Sequence, residues 1–210
     1  CIVACAASPG VAADWQTLFD GGDLSAWRIF GQPLDTPIKW RVEDGAIAGN
    51  KSAGNLATKE LFADFELELE WKISPGGNSG ILFRVDPAAK RPPFSGPEIQ
   101  VLDDSTHKDG RSLLTTAGAL YALYAPAKPV AKPTGQWNVL KLRVQGNRIQ
   151  SWLNGQLVIE AEIGSVDWNE RVAKSKFARE PQFARAPTGV IILQDHGDPV
   201  WYRKIRIRRL

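Results

Sequence analysis

The chain has 210 residues, enough for one domain with a substantial core, and its 43% hydrophobic and 23% charged residues are the balance of a globular protein. A net charge of +3 calls for neither nucleic acid nor an anionic membrane as partner, and no apolar run is long enough to span a bilayer. The only cysteines are Cys1 and Cys5, so the body from Asp14 onward has no disulfide, thiolate zinc site or cysteine nucleophile.

Residues 1–13, "CIVACAASPGVAA", are small and apolar and read as an exported, flexible leader, with 14–210 as a single domain. "IVAC" (Ile2 to Cys5) resembles a bacterial lipobox that would lipidate Cys5, while "VAA" before Asp14 resembles a signal-peptidase site after Ala13. The two compete over where the mature chain starts. Both predict a periplasmic or outer-membrane-associated protein that touches a membrane only through a lipid anchor.

Short strands follow one another along the body. "FELELEWKI" (65–73) alternates strictly, with Phe65, Leu67, Leu69, Trp71 and Ile73 on one face and Glu66, Glu68, Glu70 and Lys72 on the other. "PGGNSG" is a turn, and "ILFRV" (81–85) a second strand. The connection "DPAAKRPPFSGP" (86–97) is too proline-rich for a strand or helix. "GPEIQVLDD" (96–104) reads as a half-buried strand that carries carboxylates and an amide where most strands carry Thr, Val or Lys. "WNVLKLRVQ" is a further strand, and "RIQSWLNGQLVIEAEI" is a hairpin turning at Asn154-Gly155. Residues 165–186 hold a short helix inside a long connection; "GVIILQDH" and "KIRIRRL" close the chain as strands. The period of two in "RKIRIRR" predicts an edge or outer strand with a solvated basic face rather than a nucleic-acid patch. Many short strands with this punctuation predict an all-β sandwich or jelly roll with long loops.

Three strands present polar groups on one face. Asn78, Gly80, Leu82 and Arg84 share a parity, as do Glu98, Gln100, Leu102 and Asp104, and as do Gln194 and His196. One such strand is a solvated surface; three near turns suggest a shared polar concavity. The only histidines, His107 and His196, stand at or just beyond these strands, where a nearby carboxylate can tune a proton-transferring imidazole. Of the eight tryptophans, Trp71 and Trp137 sit in apolar strand patterns as core candidates, whereas Trp152 and Trp201 are candidates for stacking on a sugar ring. "GGNSG" lacks the Lys-Ser/Thr helix start of a phosphate loop, and no serine nucleophile elbow is present.

Segments along most of the body, among them "WQTLFDGGDLSAWR", "FADFELELEWKISPGGNSGILFR", "GPEIQVLDD", "GALYALYAP", "WNVLKLRVQGNRIQSWLNG" and "GVIILQDHGDPVWYRKIRI", resemble the 3-keto-disaccharide hydrolase family, formerly a domain of unknown function. The resemblance implies a concanavalin A-like jelly roll acting on a carbohydrate downstream of a sugar 3-dehydrogenase. A ketone acidifies the neighbouring C–H bond, so a base can form an enolate that expels the aglycone, and water can add to the enone. On that chemistry Glu98 or His107 is the base, and His196 the acid or oxyanion donor. Arg84 and Gln100 are donors to ketone and hydroxyls, while Asn78 and Gln194 position the sugar. Asp103 orients a histidine or holds a divalent metal ion; whether a metal is used stays open. No other cofactor is expected.

Two alternatives sit on the same fold. "EIQVLD" resembles the Glu-x-Asp-x-x-Glu strand of retaining jelly-roll β-glucanases, from which it departs at Gln100 and Asp103. A non-catalytic carbohydrate-binding module is the other, against which the carboxylates beside histidines argue.

Overall fold

The computed structural model describes residues 14–49 and 51–210. The leader, with both cysteines and the competing processing sites, lies outside the described residues. In chain order the first strands are β1 (Gln16–Phe19), β2 (Trp27–Ile29), β3 (Arg41–Glu43), β4 (Ala46–Gly49), β5 (Leu56–Thr58), β6 (Phe65–Ile73), β7 (Asn78–Val85) and β8 (Glu98–Leu102). They are followed by β9 (Asn138–Gln145), β10 (Arg148–Leu153), β11 (Gln156–Glu162), the helix α1 (Val166–Lys174), β12 (Val190–Leu193) and β13 (Val200–Arg209).

The strands form two antiparallel sheets. The larger runs β11-β10-β9-β6-β13-β4-β3 with β1 also on β13; the smaller runs β2-β5-β12-β7-β8. Alternation explains the stacking. The apolar face of β6 meets Ile81, Phe83, Ile99, Val101, Ile191 and Leu193 from the smaller sheet in one buried cluster. Each fully buried side chain of this size contributes about 1.5–3 kcal/mol. The β10–β11 hairpin turns at Asn154 (φ 51°) and Gly155 (φ 80°), the paired positive φ angles of a type I′ turn.

The basic C-terminal strand is not at an edge. β13 lies between β6 on one side and β4 and β1 on the other, and its basic groups meet the glutamates of β6. Arg203 and Lys204 pair with Glu70 at 2.7 and 2.8 Å, Arg206 with Glu68 at 2.6 Å, and Arg208 with Glu66. Local alternation shows which side chains face outward, but not which strand lies alongside.

Long connections cover the smaller sheet. Ser165 caps α1, its Oγ accepting from the Trp168 N–H at 3.1 Å, and the chain is irregular from Ser175 to β12. Residues 86–97 contain a single 3₁₀ turn, Pro92–Phe94. Among the described residues no helix is long and apolar enough to cross a membrane.

Candidate active site

The site is built on the face of the smaller sheet turned away from the larger one. β7 and β8 pair with Asn78 opposite Leu102, Gly80 opposite Gln100 and Leu82 opposite Glu98. β8 would be a free edge, but residues 118–121 run along it. The Gln100 N–H donates to Ala119 O (3.0 Å), Gly118 N–H to Gln100 O (2.9 Å) and Tyr121 N–H to Glu98 O (2.9 Å). On the other side the Gln194 N–H, just past β12, donates to Gly80 O at 2.9 Å. Four polar side chains are thereby buried: Asn78 is 4% exposed, Glu98 7%, Gln100 1% and Gln194 8%. Gly80 makes this possible, since a Cβ there would stand 2.1 Å from Glu98 Oε1.

These groups are not saturated by the protein. Asn78 Oδ1, Gln100 Oε1 and Gln194 Oε1 are buried without a hydrogen-bond partner among the described residues. Gln100 donates from Nε2 to Thr115 O at 3.2 Å. An unpaired buried carbonyl costs about 1–3 kcal/mol, so three on adjoining strands call for an explanation, and a hydroxyl-bearing ligand is one. The backbone around them is firmly held by contrast. Ser79 Oγ donates to Gln194 O at 2.6 Å and shares a 2.7 Å hydrogen bond with Tyr202 Oη in the inter-sheet core.

Burial, helped by a smaller push from the Asp109 carboxylate, raises the Glu98 carboxyl to about 7 against an opposing pull from the Lys176 ammonium. No hydrogen bond is among the causes, so desolvation dominates. Tyr121, whose Oη donates to Asp109 Oδ2 over a long 3.4 Å, is pushed up to about 12 by burial and then by the carboxylates of Asp109 and Glu98. Lys176 Nζ lies 4.1 Å from the Tyr121 ring centroid. The site is therefore a carboxyl poised near neutrality, three open amides, a protonated phenol and a cation.

Of the residues expected from the sequence, the structure brings together Asn78, Glu98, Gln100 and Gln194. Arg84, Asp103, Trp152 and Trp201 are engaged elsewhere, and His107 and His196 stand in loops after β8 and β12. Arg84 has φ 48° beside a register shift between β7 and β12, so parity fails there. Its guanidinium donates to Ala63 O, Gly146 O and Asp64 Oδ1, each at 2.8 Å, tying β7 to the larger sheet. Asp103 follows the last residue of β8 and closes a turn. Oδ2 accepts from Gly76 N–H and Thr106 Oγ1, and Oδ1 from Ser105 N–H and Oγ, which holds the carboxyl well below its usual range despite burial. Both its oxygens are engaged within the turn, and no group of three His, Cys, Asp or Glu suited to a metal occurs among the described residues. His107 caps a 3₁₀ turn (Lys108–Arg111), its Nδ1 accepting from the Asp109 N–H at 3.1 Å. His196 is exposed in the loop after β12. Trp152 and Trp201 lie on the outer face of the larger sheet, under Lys141 (5.5 Å) and Lys72 (4.6 Å). Trp137 stands there too, under Lys72 and Arg203, rather than in the core.

Sequence reasoning missed Lys176, Asp109 and Tyr121. Tyr121 lies in "GALYALYAP", where register along the β8 edge could have been suspected. Nothing local marks the other two.

Comparison with known proteins gives the family and the fold. A "3-keto-disaccharide hydrolase" from Bacteroides thetaiotaomicron is 32% identical over 96% of this chain and 80% of its own length. A solved structure from Parabacteroides distasonis, provisionally named a glycosyl hydrolase, superposes with a TM-score of 0.85 at 32% identity, covering 93% of this chain and 94% of that one. A non-specific endo-beta-1,3(4)-glucanase of family GH16 shares the jelly-roll fold at a TM-score of 0.56 and 13% identity, covering 97% and 98%. Residues 14–208 match the model of the 3-keto-alpha-glucoside-1,2-lyase-like domain, and the chain belongs to that family.

Proposed function

We propose that the protein is a carbohydrate-active enzyme of the 3-keto-disaccharide hydrolase type, cleaving a glycoside whose sugar already carries a 3-ketone, with Glu98 as the base. The observation that carries this reading is a buried carboxyl titrating near 7 among three open amides. A base is most effective when its pKa lies near the working pH, and burial supplies that here.

The steps balance without a covalent intermediate. Glu98 takes the proton from the carbon between the ketone and the anomeric centre, and the C–H electrons form an enolate whose charge sits on the ketone oxygen. When the enolate re-forms the carbonyl, the double bond moves to the anomeric carbon and the aglycone leaves as an alcohol after taking up a proton. Water adding to the unsaturated ketone gives the free 3-keto sugar. Asn78, Gln100 and Gln194 hold the remaining hydroxyls, and a sugar 3-dehydrogenase supplies the substrate.

A retaining glycosidase is the second reading, favoured only by Asp109 as an acidic neighbour of Glu98. Such an enzyme places two carboxyls about 5–5.5 Å apart across an unoxidised glycoside. Incubation with a glucoside and its 3-keto form separates the two. Release of aglycone from the keto form alone is expected; cleavage of the unoxidised glucoside with retention would overturn the elimination.

A further inference from the structure

Lys176 belongs to no motif and to none of the polar strands, yet three elements converge to present it. Ser175, directly after α1, donates from Oγ to Val172 O (2.9 Å) and accepts the Phe177 N–H (3.0 Å). Phe177 is buried and stacked on Phe183 at 3.9 Å between centroids, with Phe94 edge-on. The residue between these anchors therefore has a fixed backbone. Its ammonium rests 4.1 Å from the centroid of Tyr121, the residue whose N–H is bonded to the Glu98 carbonyl.

Lys176 and Glu98 feel each other as charges but are not hydrogen-bonded. No ion pair to Lys176 occurs among the described residues, although most of the basic groups on the opposite face of the molecule are paired. Glu98 is buried while Lys176 is exposed as a residue, so the carboxyl lies deeper in the fold than the lysine that feels its charge. Crowding of its head group pushes Lys176 below the usual lysine range. Glu98 and Asp109 oppose that, and Arg91, stacked 3.6 Å over Phe94, adds to it. A cation resting on the Tyr121 ring, within electrostatic reach of a buried base and hydrogen-bonded to neither carboxylate, is preorganised for negative charge that appears only during reaction.

We propose that Lys176 is a catalytic residue whose ammonium holds the ketone oxygen of the sugar and stabilises the oxyanion formed when Glu98 removes the adjacent proton. This rests on the elimination proposed above. Lys176 keeps its proton throughout; the ketone oxygen gains charge as the C–H electrons move into the enolate and loses it as the aglycone departs.

Three variants test it on a 3-keto-glucoside: K176M, K176R and E98Q. Losing one oxyanion donor lowers kcat by about 10²- to 10³-fold, so K176M is expected to fall by that factor with little change in Tm. K176R is expected to recover to within about tenfold, because a cation is restored. The acid limb of the kcat/KM profile is expected to move to higher pH in K176M, since the cation that favours ionised Glu98 is gone. A merely structural lysine would not move the acid limb, and its loss of rate would come with a loss of Tm. K176M within about threefold of the wild type while E98Q is inactive would overturn the role of Lys176 and leave the elimination standing. Full activity in E98Q would instead overturn the elimination itself. If K176M loses Tm and rate together and K176R restores only Tm, the proposal is also overturned.

Discussion

The two outer faces of this sandwich use similar residues to opposite ends. On the larger sheet Glu66, Glu68 and Glu70 face Arg203, Lys204, Arg206 and Arg208 across strands, and nearly every charge has a partner. Glu66 is 2% exposed, yet its several cations, Arg208 and Lys141 foremost, hold its carboxyl below the usual range against burial. On the smaller sheet Glu98 is more deeply enclosed and meets one cation and one carboxylate without a hydrogen bond, and its carboxyl rises to about 7. Depth of burial and the number of hydrogen-bonded cations together set a carboxyl's pKa. A face that is buried and left unsatisfied is prepared for something other than itself.

The contrast breaks most sharply at Glu98. E98Q is expected to lower kcat/KM on a 3-keto-glucoside by about 10³-fold, within the range for loss of a general base, and the wild-type acid limb is expected near pH 7. The stability effect has a defined sign. A folded pKa raised from 4.5 to about 7 gives a contribution present below pH 4.5 and lost as pH rises through 7. E98Q should therefore gain on the wild type by about 3 kcal/mol between pH 4 and pH 8, read by denaturant unfolding at both pH values. Gly80→Ala comes next. Its Cβ would meet Oε1, Cδ and Cγ of Glu98, a side chain and not backbone, so folding is expected to survive while kcat falls by about 10²-fold, the usual loss when a reacting group moves by an ångström. Gln194→Met removes an unpaired amide. It is expected to raise KM about tenfold and leave Tm unchanged or higher, because no protein hydrogen bond of the side-chain oxygen is lost. The smallest effect belongs to the paired face: Arg206→Met, at an exposed ion pair, is expected to change stability by under about 1 kcal/mol and activity not at all.

What could be read from the sequence follows from the range of the signals. The alternation over 65–73 fixes side-chain faces because the strand period is two, and Asn154-Gly155 fixes a turn because both residues accept positive φ. The same parity placed Asn78, Glu98, Gln100 and Gln194 on one face. It failed at Arg84, where a bulge inserts a residue; Asp103, which parity set on the opposite face, closes a turn with its oxygens. Parity says which side of its own strand Trp152 or Trp201 takes, not which sheet that strand joins. Lys176 reaches Glu98 across 78 positions of chain through aromatic packing that no local pattern records.

The most direct test of proton abstraction by Glu98 is a 3-keto-glucoside turned over in deuterated water and read by mass spectrometry. The wild type is expected to place deuterium on the carbon beside the ketone, and E98Q to place none. Aglycone released by the wild type without deuterium at that carbon would contradict the account.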